Sequence, residues 1–278
     1  MEWQRKKNRW DGCERADASN IADIAHIVLD AHELAQAIRA TATVTGLSND
    51  NVLLHQLFMR IVACLRSQSK LGEPADVQAV ASITRSVYET TIDMGLMCLA
   101  DDADAVDKLR GWETSALVKH AHCICRFFRV FTLPSHLEWI VAKAKHERDG
   151  VLAQRKRWWH DAHPPRWTGC GLDADARRLD ALIGSSRFST FYETSYRAVC
   201  WLVHGSSTLA TSTLSEGEAL FECGRALAWT AEFSLLAAKL LTVQIGIARS
   251  YEVGIANMVS RLTCARAGVD EPRAPNET

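Results

Sequence analysis

The stretch ALAWTAEFSLLAAKLLTVQIGIA, residues 226–248, is the most apolar part of the chain and the strongest indication of its fold. Glu232 and Lys239 interrupt it, so no uncharged segment reaches the roughly 20 residues that a membrane span requires. A helix that is apolar around most of its circumference is typical of a protein core. We therefore predict that this stretch forms a central buried helix, and that the protein does not enter a membrane.

The segments around this stretch also predict helices. Residues 18–42 repeat their apolar side chains at close to 3.6 positions, and no run alternates apolar and polar residues convincingly over the length of a strand. Together these patterns predict an all-α fold, a single bundle-like domain of about seven to nine helices. The expected helices span residues 18–42, 51–70, 74–99, 101–131, 135–159, 173–183, 192–204 and 216–267, with a bend or break in the last one near Gly246 or Gly254.

Charge and composition limit what the protein does. The chain has 278 residues, 47% of them hydrophobic, and a formal net charge of −1. A protein with so little net charge does not bind a polyanion through bulk electrostatics, so any contact with RNA has to be local. We expect a helical domain over residues 18–267, preceded by a basic extension (residues 1–17) that lacks the apolar segment of a secretory signal and followed by a disordered tail (residues 268–278).

The cysteines and histidines of the chain are possible disulfide partners and metal ligands. Nine cysteines, an odd number, occur in helical contexts, which favours reduced thiols in a cytoplasmic protein. His120, His122, Cys123 and Cys125 are close in sequence, but on one helix only His120 and Cys123 share a face, so four ligands cannot converge. The sequence therefore predicts no metal site and no cofactor.

Two short motifs place ionisable residues where an apolar helix face would otherwise continue. The first is RSVYE, residues 85–89, in which Arg85 and Glu89 are one helical turn apart and can pair. The second is YRAVCWLVHGS, residues 196–206, in which Arg197 and His204 are seven residues apart. This spacing brings both to within about 20° of one stripe, about 10.5 Å apart along the axis. We expect Arg85 and Glu89 to contact the helix that carries residues 196–204.

The order and spacing of these motifs resemble the helical domain-of-unknown-function family 5677 of bacteria, over residues 51–214. The family pattern is an Arg-x-x-x-Glu helix, a hydrophobic span with an acidic turn, and a tyrosine-rich helix that ends in His-Gly-Ser. Its positions here are Arg85, Glu89, Asp101, Asp102, Tyr192, Tyr196, His204, Gly205 and Ser206, whereas Cys200 stands where serine is expected. The family has no settled activity, so this resemblance implies a fold rather than a function.

The second motif also resembles the HEPN superfamily, helical domains that often act as metal-independent RNases. Their signature is an arginine followed after four to six residues by a histidine, and Arg197 and His204 have six residues between them. The resemblance implies an endoribonuclease of a bacterial toxin or defence type, in which two copies form a homodimer and line a shared cleft with Arg197 and His204. Tyr192, Tyr196 and Ser206 would be supporting hydrogen-bond partners.

A non-catalytic interpretation stays open beside this one. Arg85 and Glu89 can be a structural ion pair, or Arg85 can hold an anionic group while Glu89 orients its guanidinium. His204 can be a buried histidine at a helix end, where Gly205 would end the helix and the dipole would favour an imidazolium. The protein would then be a helical module that binds a partner protein or a small anion. The two interpretations differ in whether Arg197 shares a solvent-accessible cleft with His204.

Overall fold

The computed structural model describes residues 15–71, 76–128, 133–158, 165–204 and 215–270. These residues form nine helices and no strand, which confirms the predicted all-α fold. The helices are α1 (Arg15–Thr45), α2 (Asn49–Gln68), α3 (Val77–Leu99), α4 (Ala105–Phe127), α5 (Ser135–Trp158), α6 (Leu172–Ile183), α7 (Arg187–Phe191, a π-helical turn Tyr192–Tyr196, and Arg197–His204), α8 (Glu216–Gln244) and α9 (Ala248–Asp270).

Within this all-α fold the helices group into two compact units. The first unit combines Met1–Ala100 with Leu179–Thr278, and the second comprises Asp101–Arg178. In the second unit, α4 and α5 pack through Ala121, Ile124, Val141 and Ala144. Most of the expected N-terminal extension and of the C-terminal tail lies outside the described residues.

Helix α8 is the centre of the first unit, as the sequence predicts. It packs against α1, α2, α3 and α9. Its buried apolar side chains include Leu220, Leu227, Ala231, Phe233, Leu235, Ala238 and Leu241. By length and composition the segment Gly217–Gln244 is also a candidate to cross a membrane, but 72% of its most apolar window is buried inside the protein, as in a core helix.

A turn at Gly246 separates α8 from α9. The sequence predicts one long helical region here, with a bend or break near Gly246 or Gly254. Gly246 has a φ of 78°, in the left-handed region that residues with a Cβ rarely adopt. The N–H of Ile247 donates to the carbonyl of Thr242 (2.9 Å), and that of Gly246 donates to the carbonyl of Val243 (3.2 Å). This pair of bonds is a Schellman motif, which ends a helix. Gly254, the other candidate, lies inside α9.

Buried polar groups fix how α2, α3 and α8 meet. The hydroxyl groups of Thr84 and Thr230 are 2.9 Å apart, and Thr84 also donates to the carbonyl of Ala226 (3.1 Å). The side-chain amide of Gln68 donates to the Thr230 hydroxyl at 3.2 Å. Because a buried polar group without a partner costs free energy, these bonds favour one register of the three helices over others.

The carboxylate of Asp180 determines where α7 begins. Asp180 is buried near the end of α6. It accepts hydrogen bonds from the backbone N–H groups of Phe188 (3.0 Å) and Ser189 (2.7 Å), and from the hydroxyl groups of Ser185 and Ser189. The first N–H groups of a helix have no partner within the helix, so a carboxylate at this place stabilises the start of α7.

Replacing Asp180 tests this role. Asp180→Ala leaves two backbone N–H groups of α7 without an acceptor, so we expect the free energy of unfolding to fall by about 2–4 kcal/mol. Urea denaturation followed by circular dichroism measures the change. Asp23→Ala, at an exposed position of α1, is the control and should change stability by less than about 0.5 kcal/mol. Equal effects of the two substitutions would contradict the capping role.

Candidate functional site

The carboxylate of Glu89 joins α3 to α7. Its Oε1 accepts a hydrogen bond from the Tyr196 hydroxyl (2.6 Å) and another from Nε of Arg85 (2.8 Å). Arg85 and Glu89 lie on α3, whereas Tyr196 ends the π-helical turn of α7. The expected contact between the two motif-bearing helices is therefore present, and it is made by the side chains that the sequence singles out.

The cluster lies at the edge of the core. The side chains of Arg85 and Glu89 are each 30% exposed. The Arg85 guanidinium lies 5.7 Å from the centre of the Tyr196 ring, and the Tyr192 ring stacks on Tyr196 with centroids 5.1 Å apart. A cation over an aromatic face is attracted by the ring quadrupole. Since solvent reaches the ion pair, removing one partner should cost less than in a fully buried pair.

The surroundings of Tyr196 keep its hydroxyl protonated. Burial raises the pKa of Tyr196 far above its usual value of 10, and the hydrogen bond to Glu89 raises it further, while the charge of Arg85 acts in the opposite direction. The hydrogen bond to Glu89 is also the main cause of a raised pKa for Arg85. The cluster therefore contains a permanent cation, and a protonated phenol that donates a hydrogen bond to a carboxylate.

An aromatic cluster lies beside these polar groups. Tyr88 is fully buried and donates to the backbone carbonyl of Phe188 at 2.9 Å. Its ring centroid is 5.5 Å from that of Tyr196, 4.6 Å from that of Phe191 and 5.1 Å from that of Phe233. These contacts join α3, α7 and α8, so the position of α7 is fixed by apolar packing as well as by Glu89.

The π-helical turn of α7 was not expected from the sequence. It spans Tyr192–Tyr196, and both Ser195 and Tyr196 are buried there. A π-helical turn adds a residue to the helix and is frequent at functional sites. The Ser195 hydroxyl accepts a hydrogen bond from Arg225 of α8 (2.9 Å), and this arginine also pairs with Glu222. The wider turn therefore directs two consecutive side chains toward neighbouring helices.

Arg197 follows the π-helical turn directly and is exposed. The helix is regular from Arg197 to His204. Along such a segment the two positions lie within about 20° of one stripe, about 10.5 Å apart along the axis. The side chain of His204, and all of Ser206, lie outside the described residues, so the pairing of Arg197 with His204 stays a prediction.

The cysteine- and histidine-rich segment of α4 is spread over exposed positions. His120, His122, Cys123 and Cys125 are all exposed. Within the described ranges, no group of three or more His, Cys, Asp or Glu residues is arranged to hold a metal ion.

The fold and the site define a class of protein: an all-α protein in which an Arg-x-x-x-Glu helix is bonded to a tyrosine-bearing helix. The model of the DUF5677 family, a family of unknown function, matches residues 51–219. The match covers more than half of the chain, so the protein belongs to this family, as the motifs predict. No curated protein and no solved structure matches the chain. The comparisons do not confirm the resemblance to HEPN proteins.

A double-mutant cycle tests the bond between Glu89 and Tyr196. We expect Glu89→Ala and Tyr196→Phe to show a coupling energy of about 1–2 kcal/mol in the free energy of unfolding, because each removes the same charge-assisted hydrogen bond. In a control cycle, Tyr192→Phe replaces Tyr196→Phe and should show a coupling below about 0.5 kcal/mol. Equal coupling energies in the two cycles would mean that the hydrogen bond between Glu89 and the Tyr196 hydroxyl does not contribute to stability.

The raised pKa of Tyr196 predicts a loss of stability at alkaline pH. The unfolded chain binds fewer protons than the folded protein once the pH exceeds the unfolded pKa of about 10, so stability falls as the pH rises further. Tyr196→Phe removes this contribution. The stability advantage of the wild type over Tyr196→Phe should therefore be constant from about pH 7 to 9 and shrink above about pH 10. An advantage that grows with pH would contradict the assignment.

Proposed function

We propose that α7 carries the active site of a HEPN-like, metal-independent endoribonuclease. The observation that carries this proposal is the exposed Arg197 at the start of a regular helical segment that ends at His204. The helical register of that segment places the backbone positions of Arg197 and His204 within about 20° of one stripe. A guanidinium and an imidazole at this spacing can act on a single phosphodiester group.

The two residue types suit the chemistry of RNA cleavage. The 2′-hydroxyl of a ribose attacks the adjacent phosphorus, the bond from phosphorus to the 5′-oxygen breaks, and the products are a 2′,3′-cyclic phosphate and a 5′-hydroxyl. The imidazole of His204 accepts the proton of the 2′-hydroxyl, a role for which histidine is the commonest residue type in enzymes. The guanidinium of Arg197 stabilises the negative charge that develops on the phosphorane. A proton from solvent completes the leaving 5′-hydroxyl.

The cluster around Glu89 has a positioning role in this proposal. Its hydrogen bond with Tyr196 holds the end of the π-helical turn against α3, one residue before Arg197. Catalytic groups need this kind of support, because small displacements of a reacting group reduce the rate strongly. We assign Tyr196 and Glu89 to holding α7, Arg85 to supplying further positive charge beside it, and Tyr192 and Ser206 to supporting the site.

Dimer formation is part of the same proposal. The formal net charge of the chain is −1, so the attraction for RNA has to come from a local concentration of cations. Two copies that meet at α7 would bring Arg197 and His204 from each chain to one cleft. A homodimer with a two-fold axis is the commonest symmetric assembly and would double the cationic groups around one phosphate.

A second function is favoured by one observation. The Arg85 guanidinium is already bonded to Glu89 and lies over Tyr196, which is what a purely structural ion pair does. In that case the protein is a non-catalytic helical module that binds a partner protein or a small anion, and the two motifs only fix how its helices pack. Such a module binds RNA or another anion without cleaving it, so an activity assay separates the two functions.

The test of the first function is cleavage of RNA by the purified protein in EDTA. We expect cleavage with products that carry a 2′,3′-cyclic phosphate, detected by mass spectrometry. Arg197→Ala and His204→Ala should each lower the cleavage rate by at least about 10²-fold, because each removes a group that acts in the transition state.

Matched controls exclude contamination and loss of fold. His26→Ala and Arg249→Ala replace exposed residues far along the sequence from α7, and should cleave like the wild type. Circular dichroism should show that all four variants keep the wild-type helix content. If RNA is bound but stays intact with the wild type, or if Arg197→Ala and His204→Ala cleave at the wild-type rate, the ribonuclease proposal is wrong.

A further inference from the structure

A large groove in the first unit lies away from the motif residues. It runs along the α8–α9 hairpin and reaches the C-terminal ends of α3 and α6, and its volume is about 1000 Å³. This size is at the upper end of the range for small-molecule pockets. Apolar side chains of both helices line it, among them Leu236, Leu240, Val243, Ile255, Val259 and Leu262.

The apolar walls of this groove are partly open to solvent. Val243 on α8 is 59% exposed, and Val259 on α9 is 42% exposed. Leu99, at the end of α3, also lines the groove and is exposed. Exposed apolar side chains that occur singly are ordinary, but several that line one concave surface mark a binding site.

A group of charged side chains lies on the same groove. The Glu232 carboxylate on α8 pairs with the guanidinium groups of Arg187 and Arg266. Arg266 also lies over the ring of Trp229, 3.8 Å from its centre. With Lys239, the groove is lined by three cations and a single carboxylate. The balance of charge along this apolar groove is therefore positive.

The length of the groove sets the size of its ligand. Val243 lies eleven positions after Glu232 on the same helix, so the groove extends for about 16 Å along α8. An extended saturated chain of medium length, such as that of lauric acid, has this reach. The side chain of Arg187 is 63% exposed, and a guanidinium has five N–H donors, so it can bind a second carboxylate while it keeps Glu232.

We propose that this groove binds a free medium-chain fatty acid. The acyl chain lies between α8 and α9 on the apolar side chains, and the carboxylate lies against Arg187 and Arg266. The apolar walls of the groove complement the acyl chain. Its two guanidinium groups, which share the single carboxylate of Glu232, complement the carboxylate of the fatty acid. This site is independent of the ribonuclease proposal, because it uses none of the residues of the Glu89 cluster, nor Arg197 or His204.

The experiment measures displacement of the fluorescent fatty acid 11-(dansylamino)undecanoate from the full-length protein. We expect laurate to displace the probe, and dodecanol, which has the same chain without a charge, to do so at least about tenfold more weakly. Val259→Glu places a carboxylate among the apolar side chains of the groove, where it also repels an anionic ligand, and should weaken laurate binding at least about tenfold. Val253→Glu is the matched control, since Val253 is exposed on α9 and does not line the groove, and should bind laurate like the wild type.

Three other results would overturn the proposal. The first is that laurate does not displace the probe, or that dodecanol displaces it equally well. The second is that Val259→Glu, with its helix content intact, binds laurate as the wild type does. The third is a dimer in light scattering that Val259→Glu separates while Val253→Glu does not, together with no laurate binding, because the groove would then hold a second copy of the chain.

Discussion

The geometry of the candidate site depends on one carboxylate, Glu89, which is shared by Arg85 and the Tyr196 hydroxyl. Its hydrogen bond with Tyr196, which is 2.6 Å long, holds α7 against α3. Tyr196 immediately precedes the exposed Arg197. Apolar packing around Tyr88 brings the same helices together, and α7 also accepts hydrogen bonds from Tyr88 at the Phe188 carbonyl and from Arg225 at Ser195. The Glu89 bond is the directional contact nearest to Arg197, so it contributes most directly to the face that α7 presents there.

Much of the fold could be predicted because the signals are local. The apolar stretch around residue 233 indicates a buried helix through its composition, and Gly246 is a residue type that readily adopts the left-handed conformation in which many helices end. The contact between α3 and α7 was also predictable, because Arg85 and Glu89 interrupt an apolar face at helical spacing. The helix boundaries agree to within a few residues for the same reason.

The remaining features depend on residues that are distant in sequence. The hydroxyl pair Thr84 and Thr230 joins positions 146 residues apart, and nothing in either helix alone indicates its partner. The π-helical turn at Tyr192–Tyr196 is stabilised by hydrogen bonds to Glu89 and Arg225, which lie on other helices. Its own sequence therefore predicts an ordinary α-helix. The division into two units likewise follows from which helices pack together, and this is a property of the folded chain rather than of any segment.

The most direct test of the ribonuclease account is a crystal structure of the protein with an RNA oligonucleotide in which 2′-O-methyl groups prevent cleavage. The account predicts one phosphate within about 3 Å of both the Arg197 guanidinium and the His204 imidazole, in a cleft formed by two chains. A structure in which the RNA lies elsewhere, or in which the guanidinium and the imidazole are more than about 10 Å apart, would contradict it, because the two groups could not then act on one phosphate.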